Sequence, residues 1–447
     1  MKMPACFALL SLLAAPVLLA SPPASDPVKA ALEVQVQELR RDLAKLAEEI
    51  AALKAAATPG LEARVAAAEA ALATFGAALA GVETRLSDLS ESQSATAETV
   101  ESLESAATRA IHLTTYGTFA IEDTSRSNST FDAESLELVL SAQPHPRLGL
   151  FAELEFERAA AVGGERGGEI LLEQAWASFR FTDWMSLRAG ALLVPFGNVN
   201  VDHYAPSRDV ISKPLVAYIV APGDWTDNGL GLAGTVLLGG EWVLRYDTAV
   251  VAGLDDNITA LGTRAARQPF GADNNNDKAL VGRLGWKYGG AFELGMSGYD
   301  GAYDDAGQLS LSGWAVDALA VLGPLRVTGE FDRLAASQAI GPDAQFDGWY
   351  VRATVDFATR WLRSGRHGEL FPEARLSLVG QTEEVDLAGP LSGSWEENSE
   401  KRLTLGLNYR PSPSWVLKIN REWRRAPQRA LVFGDEEAWL ASLGFVF

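Results

Sequence analysis

The sequence predicts an all-β transmembrane barrel of about sixteen antiparallel strands, preceded by an α-helical coiled-coil segment. Two observations carry this fold class. The hydrophobic repeat changes from seven residues to two near Ile111, and the alternation then continues to the last residue. Alternate side chains of a strand share one face. One face of the final segment is apolar and aromatic: Trp439, Ala441, Leu443, Phe445 and Phe447.

Length and composition limit the classes of protein that the chain can belong to. It has 447 residues, enough for one large barrel plus an appendage. Its formal net charge of −20 argues against a nucleic-acid partner, because such binding relies on positive charge. Hydrophobic residues make up 47% of the chain, too many for a disordered polyanion.

The N-terminus has the pattern of a secretory signal peptide, which we place at residues 1–24. A lysine at position 2 is followed by an apolar run from Ala5 to Ala20. The single cysteine, Cys6, lies inside this segment, so the mature chain is expected to have no disulfide and no thiol chemistry. No later segment approaches the roughly 20 unbroken apolar residues of a transmembrane helix. A membrane span would therefore have to be a closed barrel.

Residues 25–108 carry a heptad pattern and predict a periplasmic coiled coil of two helices. Leu32, Leu39, Leu46 and Leu53 repeat every seven residues, offset from a second series of Val36, Leu43 and Ile50. A Thr-Pro-Gly sequence at residues 58–60 breaks the helix, and the following heptads are shifted by one residue. Two arrangements fit this pattern: a parallel trimeric stalk, or a hairpin in which the helices fold back on each other.

Residues 109–447 alternate with a period of two and predict an outer-membrane β-barrel. In one segment the odd side of the pattern is charged (Glu153, Glu155) and the even side is apolar (Leu150, Leu154). Segments of this length repeat to the C-terminus, as in membrane barrels. A soluble sandwich alternates too, but places its charges outside. Predicted strands begin near residues 111, 134, 147, 170, 186, 229, 241, 279, 291, 309, 325, 346, 373, 402, 414 and 436.

Sixteen strands enclose a water-filled lumen rather than a packed core. The face opposite the apolar one is rich in charge, so we expect a polar pore. Candidates for lumen charge are Glu153, Glu155, Arg283, Arg326, Glu330 and Arg352.

A long connection over residues 195–228 is the expected place of a constriction. It contains several prolines that stiffen it and apolar residues that a free surface loop does not need. It either folds into the lumen and narrows it, or forms an extracellular loop. Constriction candidates are Asp202, Arg208, Asp209 and Lys213 of this connection, with Arg188 and Arg245 of the wall.

We expect no metal ion, no other cofactor and no catalytic residue. The pattern Asp273, Asn275, Asp277 has the spacing of a calcium loop, but Lys278 stands where the turn glycine belongs, which favours a polar turn. The four histidines are scattered, which argues against zinc. Ser207 and Asp209 flank His203 at short range without the elbow motif of a serine hydrolase.

Several segments resemble the phosphate-selective porin O and P family of outer-membrane porins. They are LRAGALLVPFGNVNVDHYAPSRDVISKPLV, DWTDNGLGLAGTV and GADNNNDKALVGRLGW, mainly within residues 180–290. The resemblance implies a sixteen-stranded barrel, a homotrimer, and conduction of small anions such as phosphate or of other small solutes. Acidic residues share the lumen parity with the arginines, so the residues themselves predict a porin without fixing its ion preference.

The sequence therefore predicts a bacterial outer-membrane porin through which small hydrophilic solutes or ions diffuse passively. Its expected partners are outer-membrane lipid, the solute and two further copies of the chain. The alternative is a structural anchor whose coiled coil binds peptidoglycan or a periplasmic partner, with the barrel fixing it in the membrane.

Overall fold

A computed structural model describes residues 27–55, 65–85, 111–158, 168–259, 261–389, 396–426 and 434–447. The chain divides into a helical unit within residues 8–107 and a barrel unit that takes in residues 108–447. The predicted signal peptide and the helix break at residues 58–60 lie outside the described residues.

The helical unit contains α1 (Pro27–Ala55) and α2 (Val65–Arg85). Two ion pairs join these helices: Lys54 with Glu69 at 2.8 Å, and Arg40 with Glu83 at 2.5 Å. The end of α1 meets the start of α2, so the two helices run antiparallel, as in the hairpin arrangement. By length and composition alone α2 is long and apolar enough to cross a membrane, although the sequence led us to expect no helix of that kind. The coiled coil itself stays a prediction.

The barrel unit is a closed barrel of sixteen antiparallel strands in which each strand pairs with its neighbours in sequence and β1 pairs with β16. The strands are β1 Ile111–Thr124, β2 Thr130–His145, β3 Leu148–Glu157, β4 Glu169–Thr182, β5 Met185–Leu193, β6 Thr226–Gly239, β7 Trp242–Val251, β8 Ala279–Tyr288, β9 Phe292–Ala302, β10 Ser310–Leu322, β11 Leu325–Ala336, β12 Ala344–Phe357, β13 Arg375–Gly389, β14 Glu396–Ser412, β15 Trp415–Arg425 and β16 Glu436–Val446.

The predicted fold class and the strand count are confirmed. Most strands begin within three residues of the predicted position. The largest difference is β14, which begins at Glu396 rather than near residue 402. Its first residues, EENSEK, are polar throughout, so no alternation marks them as strand.

The alternation separates an apolar exterior from a charged interior. On β3, Leu148 and Leu150 are exposed on the outside, whereas Glu153 and Glu155 are buried inside. On β16, Trp439 is exposed and the next residue, Leu440, is buried. The interior is not entirely polar, however. Near one end of the barrel the inward side chains are small or apolar, including Ala249, Val251, Leu311, Leu334 and Phe346.

The two ends of the barrel differ. At one end the strands are joined mostly by tight turns, such as the two residues after β10, where Gly323 has a φ of 62° that favours glycine. The same end holds the start of β1, the C-terminal Phe447, and two short helices, α5 (Thr359–Leu362) and α6 (Gly365–Leu370). The opposite end carries the longer connections, among them those between β5 and β6 and between β7 and β8.

Candidate pore constriction

The connection between β5 and β6 folds into the lumen, which decides between the two alternatives stated for it. Residues 194–225, here called the inner loop, contain two short helices, α3 (Asn198–Val201) and α4 (Val216–Ile219). Phe196, Leu215 and Trp225 are fully buried against the apolar inward side chains of the wall. Hydrogen bonds then tie the loop to strands around much of the barrel.

The inner loop enters the lumen through a turn that requires glycine. Gly197 has a φ of 69°, and a Cβ at this position would lie 2.4 Å from Oε1 of Glu330. The amides of Asn198 and Val199 each donate a hydrogen bond of 3.0 Å to Oε2 of Glu330 on β11. The predicted lumen residue Glu330 therefore anchors the start of the loop.

A group of basic side chains on β11 to β15, here called the basic arc, holds the middle of the inner loop. It consists of Arg326, Arg352, Arg402, Arg410 and Lys418. Three of its members donate to loop carbonyls: Arg410 to Pro206 at 2.9 Å, Lys418 to Ala205 at 3.0 Å, and Arg402 to Lys213 at 2.5 Å. The positive charge of this arc is thus largely committed to protein acceptors.

Asp209 of the inner loop is the carboxylate that faces the basic arc. Arg326 lies 2.6 Å from its Oδ2, and the hydroxyl of Thr354 donates to the same oxygen at 2.8 Å. Burial alone would raise the pKa of Asp209, but the charges of Arg326 and Arg410 hold that pKa well below its usual range.

A group of carboxylates on β2 to β4, here called the acidic arc, faces a different part of the inner loop. Its members are all buried: Glu137, Glu153, Glu155 and Glu173. His203 of the loop approaches them, with Nε2 at 3.3 Å from Glu173 and 3.5 Å from Glu153. Neighbouring residues hold Glu153 in place, since it accepts hydrogen bonds from Tyr116 at 2.8 Å and from Gln174 at 2.7 Å.

The other constriction candidates lie as follows. Asp202 is exposed to the lumen, and Arg208 is buried with its Nη2 at 3.3 Å from the carbonyl of Ile211. Lys213 pairs with Asp224 of the same loop. The remaining two lie on the wall: Arg188 of β5 pairs with Asp247 of β7, and Arg245 of β7 is exposed. The structure gathers the four loop candidates on one segment, and their joint action as a constriction stays a prediction.

Two of the remaining lumen candidates are committed to wall partners. Arg283 pairs with Asp317 through two hydrogen bonds, and Arg352 donates to Gln381 at 2.8 Å. Four further residues of the site were not predicted from the sequence: Arg402, Arg410, Glu173 and His203. Strand parity could have found Arg402 and Arg410, but nothing local marks the residues that His203 would meet.

The connection between β7 and β8 packs on the inner loop. The hydroxyl of Thr263 donates to the carbonyl of Val220 at 2.7 Å, and Arg267 donates to Gly223 at 3.0 Å. In the calcium-like pattern, Asp273 pairs with Lys278 at 2.8 Å and Asp277 accepts from a strand amide. These contacts agree with the polar turn that the sequence favours over a calcium loop.

Comparison with known proteins gives the fold of the barrel. No family model matches the chain. A protein of Aquifex aeolicus (strain VF5), described as uncharacterised, is 23% identical over 321 residues, which cover 66% of this chain and 70% of that protein. The solved complex of Salmonella typhi OmpF with daunomycin is 12% identical, with a TM-score of 0.53, and the match covers 76% of this chain and 98% of that chain. OmpT of Vibrio cholerae in its trimer form is 9% identical with a TM-score of 0.50, covering 76% and 99%. The chain therefore has the closed sixteen-stranded fold of outer-membrane porins.

Proposed function

We propose that this protein is a bacterial outer-membrane porin in which the inner loop forms the constriction. The observation that carries the proposal is the position of that loop inside a closed barrel, fixed to both the basic and the acidic arc. A sixteen-stranded barrel is wide enough for an aqueous channel, and a loop inside it sets the narrowest section. Transport is then diffusion down a gradient and needs neither a covalent step nor an energy source.

The exterior supports placement in the outer membrane. Outward positions carry large apolar side chains such as Leu230 and Leu280, with Trp242 and Trp415 near strand ends. Short turns at one end and long connections at the other are typical of outer-membrane barrels, whose short turns face the periplasm. Since β1 begins at the short-turn end, we place the helical unit in the periplasm.

We further infer that cations pass more readily than anions. An anion path would need free positive charge at the narrowest point. The basic arc donates its hydrogen bonds to loop carbonyls and carboxylates. Among the described residues, by contrast, the four buried glutamates of the acidic arc form ion pairs with no basic side chain but His203. This inference departs from the phosphate conduction that the family resemblance implies.

A homotrimer is the proposed assembly. The resemblance to the porin O and P family implies it, and the Vibrio cholerae OmpT with the same fold was solved in a trimer form. Chemical cross-linking of the protein in native membranes, followed by electrophoresis, would show a ladder ending at three chains. A ladder ending at one chain contradicts the trimer.

Conductance in planar lipid bilayers tests the porin proposal directly. We expect stepwise current increases on insertion and, in a salt gradient, a reversal potential of the sign that marks cation preference. A reversal potential of the opposite sign would reject the cation inference and leave the porin intact. The same preparation after thermal unfolding is the control and should give no steps.

The alternative is a structural anchor, and one observation favours it. The inner loop is bonded to so many strands that it could close the lumen instead of narrowing it. Correctly folded protein that inserts without conducting would support the anchor. Pull-down of peptidoglycan by the full chain, lost when residues 25–108 are deleted, would then identify the role of the helices.

A further inference from the structure

We propose that Glu153, Glu173 and His203 form a binding site for a divalent transition-metal ion, with zinc the best fit, which fastens the inner loop to β3 and β4. The three residues come from two strands and the loop, and their ligand atoms all lie within 4.8 Å of one another. The proposal concerns ion binding by the folded chain and does not depend on whether the barrel conducts.

The distances fit coordination better than a direct hydrogen bond. Nε2 of His203 is 3.3 Å from Glu173 and 3.5 Å from Glu153, beyond the usual 2.7–3.2 Å of an N–H···O bond. A tetrahedral zinc ion holds its nitrogen and oxygen ligands at about 2.0–2.1 Å, which places neighbouring ligand atoms about 3.3 Å apart. The imidazole nitrogen therefore stands close to ligand spacing from each carboxylate, and all three ligand atoms lie within 4.8 Å of one another.

Glu173 reaches this position through a β-bulge. Glu153 pairs with Gln174 and the next residue, Leu154, pairs with Leu172, so Glu173 is the extra residue on β4. The bulge turns both Glu173 and Gln174 inward, where a regular strand would point only one of them into the lumen. Bulges of this kind redirect a side chain and are frequent beside functional sites.

Buried carboxylate oxygens without hydrogen bonds in the acidic arc also favour a bound cation. Among the described residues, Oε2 of Glu173 is buried and accepts no hydrogen bond, and Oε2 of Glu137 is in the same state. Both side chains are more than nine-tenths buried. Ionised groups in such surroundings cost several kcal/mol unless they are paired or coordinate a metal. Glu153 and Glu173 share the single imidazole of His203, and a divalent ion bound by both carboxylates would neutralise that pair.

Neighbouring hydrogen bonds hold one ligand in the required orientation. Tyr116 and Gln174 donate to the two oxygens of Glu153, at 2.8 Å and 2.7 Å. Partners of this kind orient metal ligands and raise affinity. One nitrogen with two carboxylate oxygens suits zinc, and the fourth position is left for water or a solute group.

Cobalt(II) is the probe, because it replaces zinc in such sites and its tetrahedral complexes absorb visible light. The full mature chain, refolded in detergent and freed of metal by a chelator, is titrated with Co²⁺. We expect saturable binding of one ion per chain with a tetrahedral spectrum, which equimolar Zn²⁺ abolishes. Weak, unsaturable absorption means an adventitious ion only and overturns the proposal.

Three variants locate the site. His203→Ala and Glu173→Gln should each lower Co²⁺ affinity at least about 100-fold, while Tyr116→Phe should lower it about 10-fold because it removes only an orienting bond. His112→Ala is the matched control, since His112 is exposed on β1. The far-ultraviolet circular dichroism of each variant shows whether it folds. If His203→Ala does not fold, the Co²⁺ affinity of Glu173→Gln tests the assignment. Affinity unchanged in Glu173→Gln, or lost equally in His112→Ala, would refute the assignment.

Discussion

The basic arc and the acidic arc hold the same loop, but they satisfy their charges differently. In the basic arc, Arg410 and Lys418 donate to carbonyls of the inner loop, so each charge has protein acceptors. In the acidic arc, Glu137 keeps a buried oxygen without a hydrogen bond among the described residues, and the equivalent oxygen of Glu173 has the imidazole of His203 at 3.3 Å without a hydrogen bond. A buried charge is stable only when it is paired. The difference teaches that the basic arc serves to position the loop, while the acidic arc is open to a cation.

Removal of one member of the basic arc should have the largest effect on stability. Arg402 is buried, donates to Glu383 at 2.6 Å and lies 3.6 Å from Glu422. Arg402→Met would leave the buried carboxylate of Glu383 without its cation, whereas Glu422 keeps Arg424 at 2.9 Å. Breaking a buried ion pair costs about 3–5 kcal/mol. We expect a loss of that size in the free energy of unfolding, measured by urea titration of the refolded barrel in lipid or detergent.

The adjacent residue provides the control for this prediction. Lys401 pairs with Glu384 at 2.6 Å, but its side chain is half exposed, so Lys401→Met should change the unfolding free energy little. Equal losses in Lys401→Met and Arg402→Met would mean that the basic arc does not hold the loop in the way described.

The barrel could be predicted from the sequence because strand parity is a local property. The alternation of Glu153 and Leu154 places them on opposite faces without knowledge of any distant residue. The path of the inner loop is not local: Arg410 bonds to Pro206 across 204 residues of chain. The apolar residues of the 195–228 connection indicated that it needed a partner, but no pattern identified which strands supply it.

The acidic arc shows a second reason why the site could not be predicted in full. At Glu173 the β-bulge shifts the parity by one residue, so the period of two gives the wrong face for part of β4. His203 meets Glu173 only because the inner loop crosses the lumen. The expectation of scattered histidines without metal ligands rested on spacing in sequence, which says nothing about such a long-range approach.

A larger side chain in place of Gly348 on β12 should have a smaller effect on stability but a clear effect on channel conductance. A Cβ there would lie 3.0–3.1 Å from side-chain carbons of Val216 and Val220 and 2.8 Å from one of Val385. Helix α4 therefore packs against the barrel wall at a position where the wall has no side chain. Gly348→Val should displace α4 and cost about 1–3 kcal/mol, the usual range for overpacking. Single-channel recordings should show altered conductance, because the constriction moves with the loop.

The same substitution on the outer face separates displacement of the loop from a general effect on the strand. Gly380 lies on β13, and a Cβ there would meet only Leu405, at 3.6 Å. Gly380→Val should therefore keep the parent conductance and stability. If both variants conduct alike, α4 does not contribute to the constriction.

The smallest expected change in unfolding free energy comes from replacing one buried glutamate beside each arc by glutamine, and its sign should differ between the two arcs. Glu137 is buried in the acidic arc with an oxygen that lacks a hydrogen bond, whereas Glu383 is buried in contact with Arg402 of the basic arc. Replacing a buried carboxyl that has no basic partner by a neutral amide removes any cost of burying its charge, so Glu137→Gln in metal-free protein should leave the unfolding free energy unchanged or raise it by up to about 1 kcal/mol. Glu383→Gln, which breaks a satisfied pair, should lower it. Urea titration of the two variants side by side measures the difference, and a loss of stability in Glu137→Gln equal to that in Glu383→Gln would mean that the acidic arc is as fully paired as the basic one.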